Sequence, residues 1–313
     1  MEFRVGSFNL RNLTIPNFRF YENLIYSQEE YHQKIQWCSQ QLQNMDAAIV
    51  SFQEVFHSQP LKDLCIQSRL YGENPYIVCP SCDEGEPRVA LVSKFPIKEW
   101  TEHTELPASC QTEEFVSFRR PFIEAIIEVP TETSTQLVRV FSVHLKSKRA
   151  LIVDEDPMDM EGVCKGLARS LRLRAQEAIG IRNIIQQRID LPTIVMGDFN
   201  MTIPELEPLE MEAFLGARWI HPASPSLGGH RQIDLILISL ELAVGAQVDW
   251  DLNGPWAQPH VGLILQLEVQ VLSMVSQKMV APAGIDIAHG PDRPWQYYHD
   301  SGVRARQKEE VRS

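Results

Sequence analysis

The chain has 313 residues, 44% of them apolar and 8% aromatic, with a formal net charge of −12. That apolar content supports a substantial core. The negative balance excludes a molecule whose whole surface steers polyanions, so any nucleic-acid contact needs a local basic patch. No run approaches the ~18 apolar residues of a membrane span, and no apolar signal region opens the chain. The expectation is a soluble, cytoplasmic monomer without a membrane span.

Phe3-Arg4-Val5-Gly6-Ser7-Phe8 alternates as a strand and stops at Asn9-Leu10-Arg11-Asn12. Ser27-Gln28-Glu29-Glu30 is a capping box, and Tyr31, Ile35, Cys38, Leu42 and Met45 behind it step along one helical face. Asp46 to Phe52 reads as a buried strand ending at Gln53-Glu54-Val55, and a helix covers Pro60 to Leu70. Cys79-Pro80-Ser81-Cys82 lacks the second pair that a zinc ribbon requires, and is read as a loop. Strands are predicted at Tyr76–Cys79, Val89–Ser93, Phe122–Val129 and Leu137–His144, with loops at Asp83–Glu86 and Thr101–Glu114.

A polar insertion spans Ala150 to Glu161. The longest helix follows, with Leu167, Leu171, Ala175, Ala178, Ile181 and Ile185 as its apolar face. It feeds the run Ile194-Val195-Met196-Gly197-Asp198-Phe199-Asn200, a β-branched strand bounded by Pro192 and Gly197. Thr202-Ile203-Pro204-Glu205 opens another helix, and strands follow at Ile233–Ile238 and Val261–Val269. From Leu272 the pattern dissolves, so residues 1–271 form the predicted domain and 272–313 a partly disordered C-terminal extension. Strand-helix-strand units mixed with hairpins predict an α/β fold, a four-layer sandwich of two packed mixed β-sheets flanked by helices.

Polar residues recur where apolar strands stop: Asn9, Glu54, His144, Asp198 with Asn200, and His260. Asp198 and Asn200, two apart, share a face of an extended segment. A carboxylate beside a carboxamide suits general-base work and oxyanion stabilisation, although an isolated Asp-Phe-Asn also reads as a strand cap followed by an Asx turn. Five such ends on rigid strands point to one site at one edge of the sandwich.

Six motifs occur in order: Ser-Phe-Asn-Leu at 7–10, Phe-Gln-Glu-Val at 52–55, Val-His-Leu-Lys-Ser at 143–147, Gly-Asp-Phe-Asn at 197–200, Ile-Asp-Leu-Ile-Leu at 233–237 and Pro-His-Val-Gly at 259–262. Together they resemble the endonuclease/exonuclease/phosphatase superfamily, whose fold is deoxyribonuclease-like. The resemblance implies a Mg²⁺ held by Glu54 with help from Asn9, Mn²⁺ being a substitute. It implies that Asp198 activates or orients the attacking water, that Asn200 positions that water and the phosphate, and that His144 contacts the scissile phosphate. Asp234 would orient His260, which stabilises the transition state or protonates the leaving oxygen. Mg²⁺ takes hard oxygen ligands and needs only one or two carboxylates.

One motif departs from the family. An aspartate usually precedes the last histidine, whereas this chain has Gln258-Pro259-His260. That change motivates one alternative to a nuclease, a non-catalytic binding module of the same fold; the range of the family and the net charge of −12 leave another, a phosphatase of small phosphoesters or nucleotides. Arg119-Arg120 and Lys146, Lys148 and Arg149 supply a local basic patch, with Arg120 and Lys146 the expected phosphate contacts. Replacing Asp198 or Glu54 is expected to leave the protein folded, because strand-end polar residues at a wet cleft carry little packing.

Overall fold

The first alternating segment forms β1 (Glu2–Leu13), which pairs in parallel with β2 (Ile49–Val55) on one side and antiparallel with β12 (Leu263–Glu268) on the other. With β3 (Tyr76–Val78), β4 (Arg88–Ser93) and β11 (Gln247–Asp249) these build a six-stranded sheet of order β11-β12-β1-β2-β4-β3. The second sheet takes β5 (Ile97–Glu105), β6 (Ser117–Pro130), β7 (Thr135–His144), β8 (Thr193–Asp198), β9 (Arg218–Ile220) and β10 (Asp234–Ile238) in the order β5-β6-β7-β8-β10-β9. The computed structural model describes residues 2–20, 25–80, 86–153, 159–188 and 190–201, with the strand backbone at 218–220, 234–238, 247–249 and 263–268. All of them lie in a unit spanning Met1–Val271.

Each sheet is mixed in the same way. Among the described pairings, β1–β2 and β7–β8 are parallel and every other is antiparallel. Parallel neighbours need a crossover, which α1 (Gln28–Met45) and α3 (Met160–Gln186) provide. A third helix, α2 (Ser58–Ser68), packs beside α1.

Side-chain alternation sorts the strands between layers. Ile49 of β2 and Ile194 and Met196 of β8 face the seam between the sheets, with Val5, Leu91, Ile123 and Val140. Val50 and Phe52 face α1 and α2, where Ile35, Leu42, Leu61 and Leu64 meet them. Val195 and Phe141 face α3 and pack on Leu173, Ile181 and Ile185. The result is the four-layer sandwich read from the sequence. The capping box of α1 forms as expected: Glu30 N donates to Ser27 Oγ at 3.2 Å, and Ser27 N donates to Glu30 Oε2 at 2.8 Å.

Two local expectations change. The loop predicted over Thr101–Glu114 is a strand as far as Glu105, followed by a 3-10 turn at Ala108–Cys110. Strand β5 lies at a sheet edge and is charged along its length, a composition that shields an edge from further pairing but hides a strand from hydropathy. In α3 the predicted face is right from Ala178 onward and wrong before it. Leu167 and Leu171 are exposed, while Gly166, Ser170, Arg174 and Glu177 point inward. The helix predicted at Thr202, residue Cys82, the motif around His260 and the extension from residue 272 lie outside the described residues.

Candidate active site

The parallel pair of the first sheet carries Asn9 and Glu54 at its C-terminal end. Asn9 pairs with Gln53 in register, and the β1–β2 pairing then shifts between Asn9 and Leu13. The β2–β4 pairing shifts between Phe52 and Val55. Such bulges re-aim side chains at sheet ends. Here they place Glu54 at φ 60° and Arg11 and Asn12 at φ 47° and 63°. A left-handed glutamate costs on the order of 1–3 kcal/mol, which the surrounding strands must impose.

In the second sheet His144 of β7 pairs with Asp198 of β8. Gly197, just before Asp198, sits at φ +147°, and a Cβ there would lie 2.0 Å from Val143 O. Only glycine lets β8 approach β7 so closely. Asp198 is 2% exposed. Its Oδ1 accepts from Asn200 N at 2.8 Å, closing an Asx turn that puts Asn200 at φ 50°. The turn and the chemical reading of this motif are therefore compatible, since the turn engages only one carboxylate oxygen.

The other oxygen joins the two sheets. Asn9 Nδ2 donates to Asp198 Oδ2 and to Glu54 Oε1, both at 3.2 Å. Asn9 Oδ1 accepts from Arg11 N at 2.9 Å, which sets which way the carboxamide faces. His144 Nε2 lies 3.5 Å from Asp198 Oδ2, an ion-pair distance. Beneath them a buried polar column crosses the sandwich: Gln53 Nε2 donates to Ser51 Oγ at 2.7 Å, and Ser51 Oγ meets Ser142 Oγ at 2.6 Å. Sequence reading passed over these serines, though hydroxyls inside apolar strand runs were the available signal.

The structure thus brings Asn9, Glu54, His144, Asp198 and Asn200 together. Asp234 is the backbone partner of Asp198 across the β8–β10 ladder. Arg120 and Lys146, the expected phosphate contacts, both bond to carbonyls of the segment that follows β7. Arg120 Nη1 donates to Leu145 O at 3.1 Å. Lys146 Nζ donates to Ser147 O and Arg149 O, both at 2.9 Å, and to Ser147 Oγ at 3.3 Å. Burial, with Arg120 nearby, brings this ammonium down to about 8. Glu177 and Arg174 of α3, which sequence reading assigned no role, lie against the same loop, and burial pushes the Glu177 carboxyl up.

Comparison with known proteins identifies the family and the fold. The sequence model of the Endonuclease/Exonuclease/phosphatase family matches residues 7–255. No curated protein sequence matches the chain. Among solved structures, the human Nocturnin catalytic domain with bound sulfate is 18% identical, with 86% of this chain and 95% of that one covered at a TM-score of 0.55. A beta toxin from Staphylococcus aureus is 17% identical, covering 86% and 100% at a TM-score of 0.54. Truncated TDP2 from Caenorhabditis elegans is 14% identical, covering 85% and 97% at a TM-score of 0.52. At these identities the likeness is one of fold. The family match runs through the strand ends that carry Asn9, Glu54, His144 and Asp198, and the chain belongs to the endonuclease/exonuclease/phosphatase family.

Proposed function

We propose that the chain is a Mg²⁺-dependent phosphodiester hydrolase. One observation carries the reading: a single carboxylate oxygen, Asp198 Oδ2, faces both His144 of its own sheet and Asn9 of the other, while Asn9 also reaches Glu54. A cap or a packing contact would not need a carboxylate, a histidine and a bridged second carboxylate at one point.

The donor chemistry fits a hard cation. Glu54 is half-buried and presents carboxylate oxygens, while Asn9 turns its Nδ2 towards Glu54 and its Oδ1 towards Arg11 N. Among the described residues no three His, Cys, Asp or Glu side chains cluster as a metal cage. Glu54 would therefore hold Mg²⁺ together with water, with Asn9 Nδ2 orienting the Glu54 carboxylate and its oxygen joining the cation only if the carboxamide turns over. When bound, the cation neutralises charge on the reacting phosphate. Asp198 orients the attacking water and takes its proton as oxygen bonds to phosphorus. His144 donates to a non-bridging phosphate oxygen. Asn200 Nδ2 donates to Leu145 O at 2.9 Å, leaving its Oδ1 as acceptor for the water. The ester P–O bond breaks, and the leaving oxygen takes a proton from His260, which the family pattern pairs with Asp234.

Nucleic acid is the first substrate class. A second reading, a small phosphoester or nucleotide, is favoured by the basic patch itself. Lys146 is caged by carbonyls, Arg120 holds Leu145 O, and Arg119 pairs with Glu86 at 3.2 Å. Among the described residues, these three cations of the patch already have protein partners. The deciding experiment is a panel of plasmid, single-stranded DNA, RNA, nucleotides and inositol phosphates, with and without EDTA. Bis(p-nitrophenyl) phosphate serves as a generic diester. Full activity in excess EDTA would remove the metal from the proposal. No hydrolysis of any member would leave a binding module.

A further inference from the structure

The inner face of α3 sends a carboxylate into the protein interior, towards the site. Glu177 is 1% exposed. Its Oε1 accepts from Arg119 N at 2.8 Å, and its Oε2 accepts from Lys146 N at 2.7 Å. One side chain therefore pins the start of β6 and the chain leaving β7.

The second contact reaches the site through a single peptide group. Lys146 N–H and Leu145 C=O belong to the same planar unit, and in a trans peptide they point to opposite sides. With the N–H held by Glu177, the carbonyl is aimed away from α3. It accepts from Asn200 Nδ2 at 2.9 Å and from Arg120 Nη1 at 3.1 Å. The amide hydrogen on Leu145 donates to Asp198 O at 2.9 Å, so this residue holds both members of the Asp198–Asn200 pair. Arg174 Nη1 fixes the next turn of chain through Lys146 O and Ser147 O, each at 3.2 Å.

We propose that Glu177 is a positioning residue for Asn200, acting through the Leu145–Lys146 peptide. The inference rests on the hydrolase reading above. A carboxylate on the N–H polarises the peptide and makes Leu145 O a stronger acceptor. Leu145 O can only accept, so it selects the amino end of the Asn200 carboxamide and leaves the oxygen for the reacting water. Without the carboxylate, the peptide plane loses its hold on the N–H side, and the carboxamide is positioned less tightly. A displacement of about 1 Å in such a group costs up to about 10²-fold in rate.

The test is Glu177→Gln, which keeps size but turns one of the two acceptors into a donor facing an amide hydrogen. Rates on bis(p-nitrophenyl) phosphate should show kcat reduced at least about tenfold, with KM moved less than about twofold. In protein labelled with ¹⁵N-asparagine, the Asn200 side-chain NH2 resonance, assigned by its loss in Asn200→Asp, should shift or broaden. Ile185→Ala, a cavity in the same helix layer two turns away, controls for stability: it should lower Tm while leaving kcat within about twofold and the resonance in place. Glu177→Asp retracts the carboxylate by one methylene and should show the same split if Glu177→Gln fails to fold. A kcat within about twofold of wild type in the Glu177 variants, or an unmoved Asn200 resonance, overturns the proposal. So does Ile185→Ala reproducing both effects. An inactive wild type sinks the hydrolase reading instead, and the resonance then decides the positioning of Asn200 by itself.

Discussion

Replacing Asp198 tests the site and the stability of its surroundings together. The sequence leads one to expect a wet strand end that tolerates substitution, but Asp198 is 2% exposed and serves Asn200, Asn9 and His144 among its partners. Asp198→Ala leaves Asn200 N without the acceptor it holds at 2.8 Å and removes the carboxylate beside Asn9 Nδ2 and His144 Nε2. An orphaned buried donor costs about 1–3 kcal/mol, and lost bonds to a charged group add to it, so the destabilisation is about 2–4 kcal/mol. For a body of this size that is a fall of roughly 5–15 °C in Tm. Asp198→Asn keeps Oδ1 for the turn and places an amide donor against Asn9, so it should cost less stability, about 1–2 kcal/mol. Both variants should lose about 10²–10⁴-fold in kcat, because neither retains the base. Thermal melts and kcat across Mg²⁺ concentrations measure the two effects independently. An Asp198→Asn enzyme keeping more than a tenth of wild-type rate, a barrier change below ~1.4 kcal/mol, would remove Asp198 from the centre of the chemistry. An unchanged Tm in Asp198→Ala would show that the bridge between the sheets carries no energy.

The remaining predictions concern neighbouring positions. Glu54→Gln should lose activity that raised Mg²⁺ partly restores by mass action, whereas no Mg²⁺ concentration restores Asp198→Ala; equal rescue of both would refute the division of roles. Gly197→Ala should destabilise the protein by about 3 kcal/mol or more, since its Cβ would stand 2.0 Å from Val143 O; a melt within 2 °C of wild type, a margin set by about 2–4 °C per kcal/mol, would show that β8 can move off β7. Burial holds Lys34 and Lys146 down at about 8 against an ordinary 10.5, so from pH 8 upward the unfolded chain binds more protons and stability should rise with pH. Slightly above pH 9 the sign reverses, because burial pushes the Cys38 and Cys65 thiols up to about 12 and raises the Tyr26, Tyr31 and Tyr71 hydroxyls, and only the unfolded chain releases those protons. Urea unfolding between pH 7 and 10 should therefore show a maximum near 9, and Lys34→Met should flatten the rise; a monotonic fall from pH 7 would contradict both signs.

The strand ends were legible because each is a local event. An apolar run of period two that stops at a polar residue needs no partner to be seen, and Asn9, Glu54, His144 and Asp198 all announce themselves in this way. The bulges that turn them towards one another are not local. The positive φ of Glu54 arises from mismatched register against two different neighbours, β1 and β4, and nothing in Phe-Gln-Glu-Val marks it. Strand β5 was missed for a related reason, since an edge strand need not be apolar.

The misphased half of α3 shows why supporting residues escape a reading that follows apolar stripes. A hydrophobic face through Leu167 and Leu171 places Arg174 and Glu177 among the solvated residues, because burial normally follows hydropathy. The helix instead turns Gly166, Ser170, Arg174 and Glu177 inward and leaves both leucines exposed. Unpaired charges in that layer would cost several kcal/mol each, so the inversion is stable only if the chain supplies partners. It does so with backbone amides 58 and 31 residues away in sequence, at Arg119 and Lys146. Those amides belong to the two strand ends flanking His144, so the polar half of α3 exists to meet them. A helix that buries a carboxylate where leucine was available trades packing for direction, and the direction it fixes is that of the Leu145 carbonyl and, through it, Asn200.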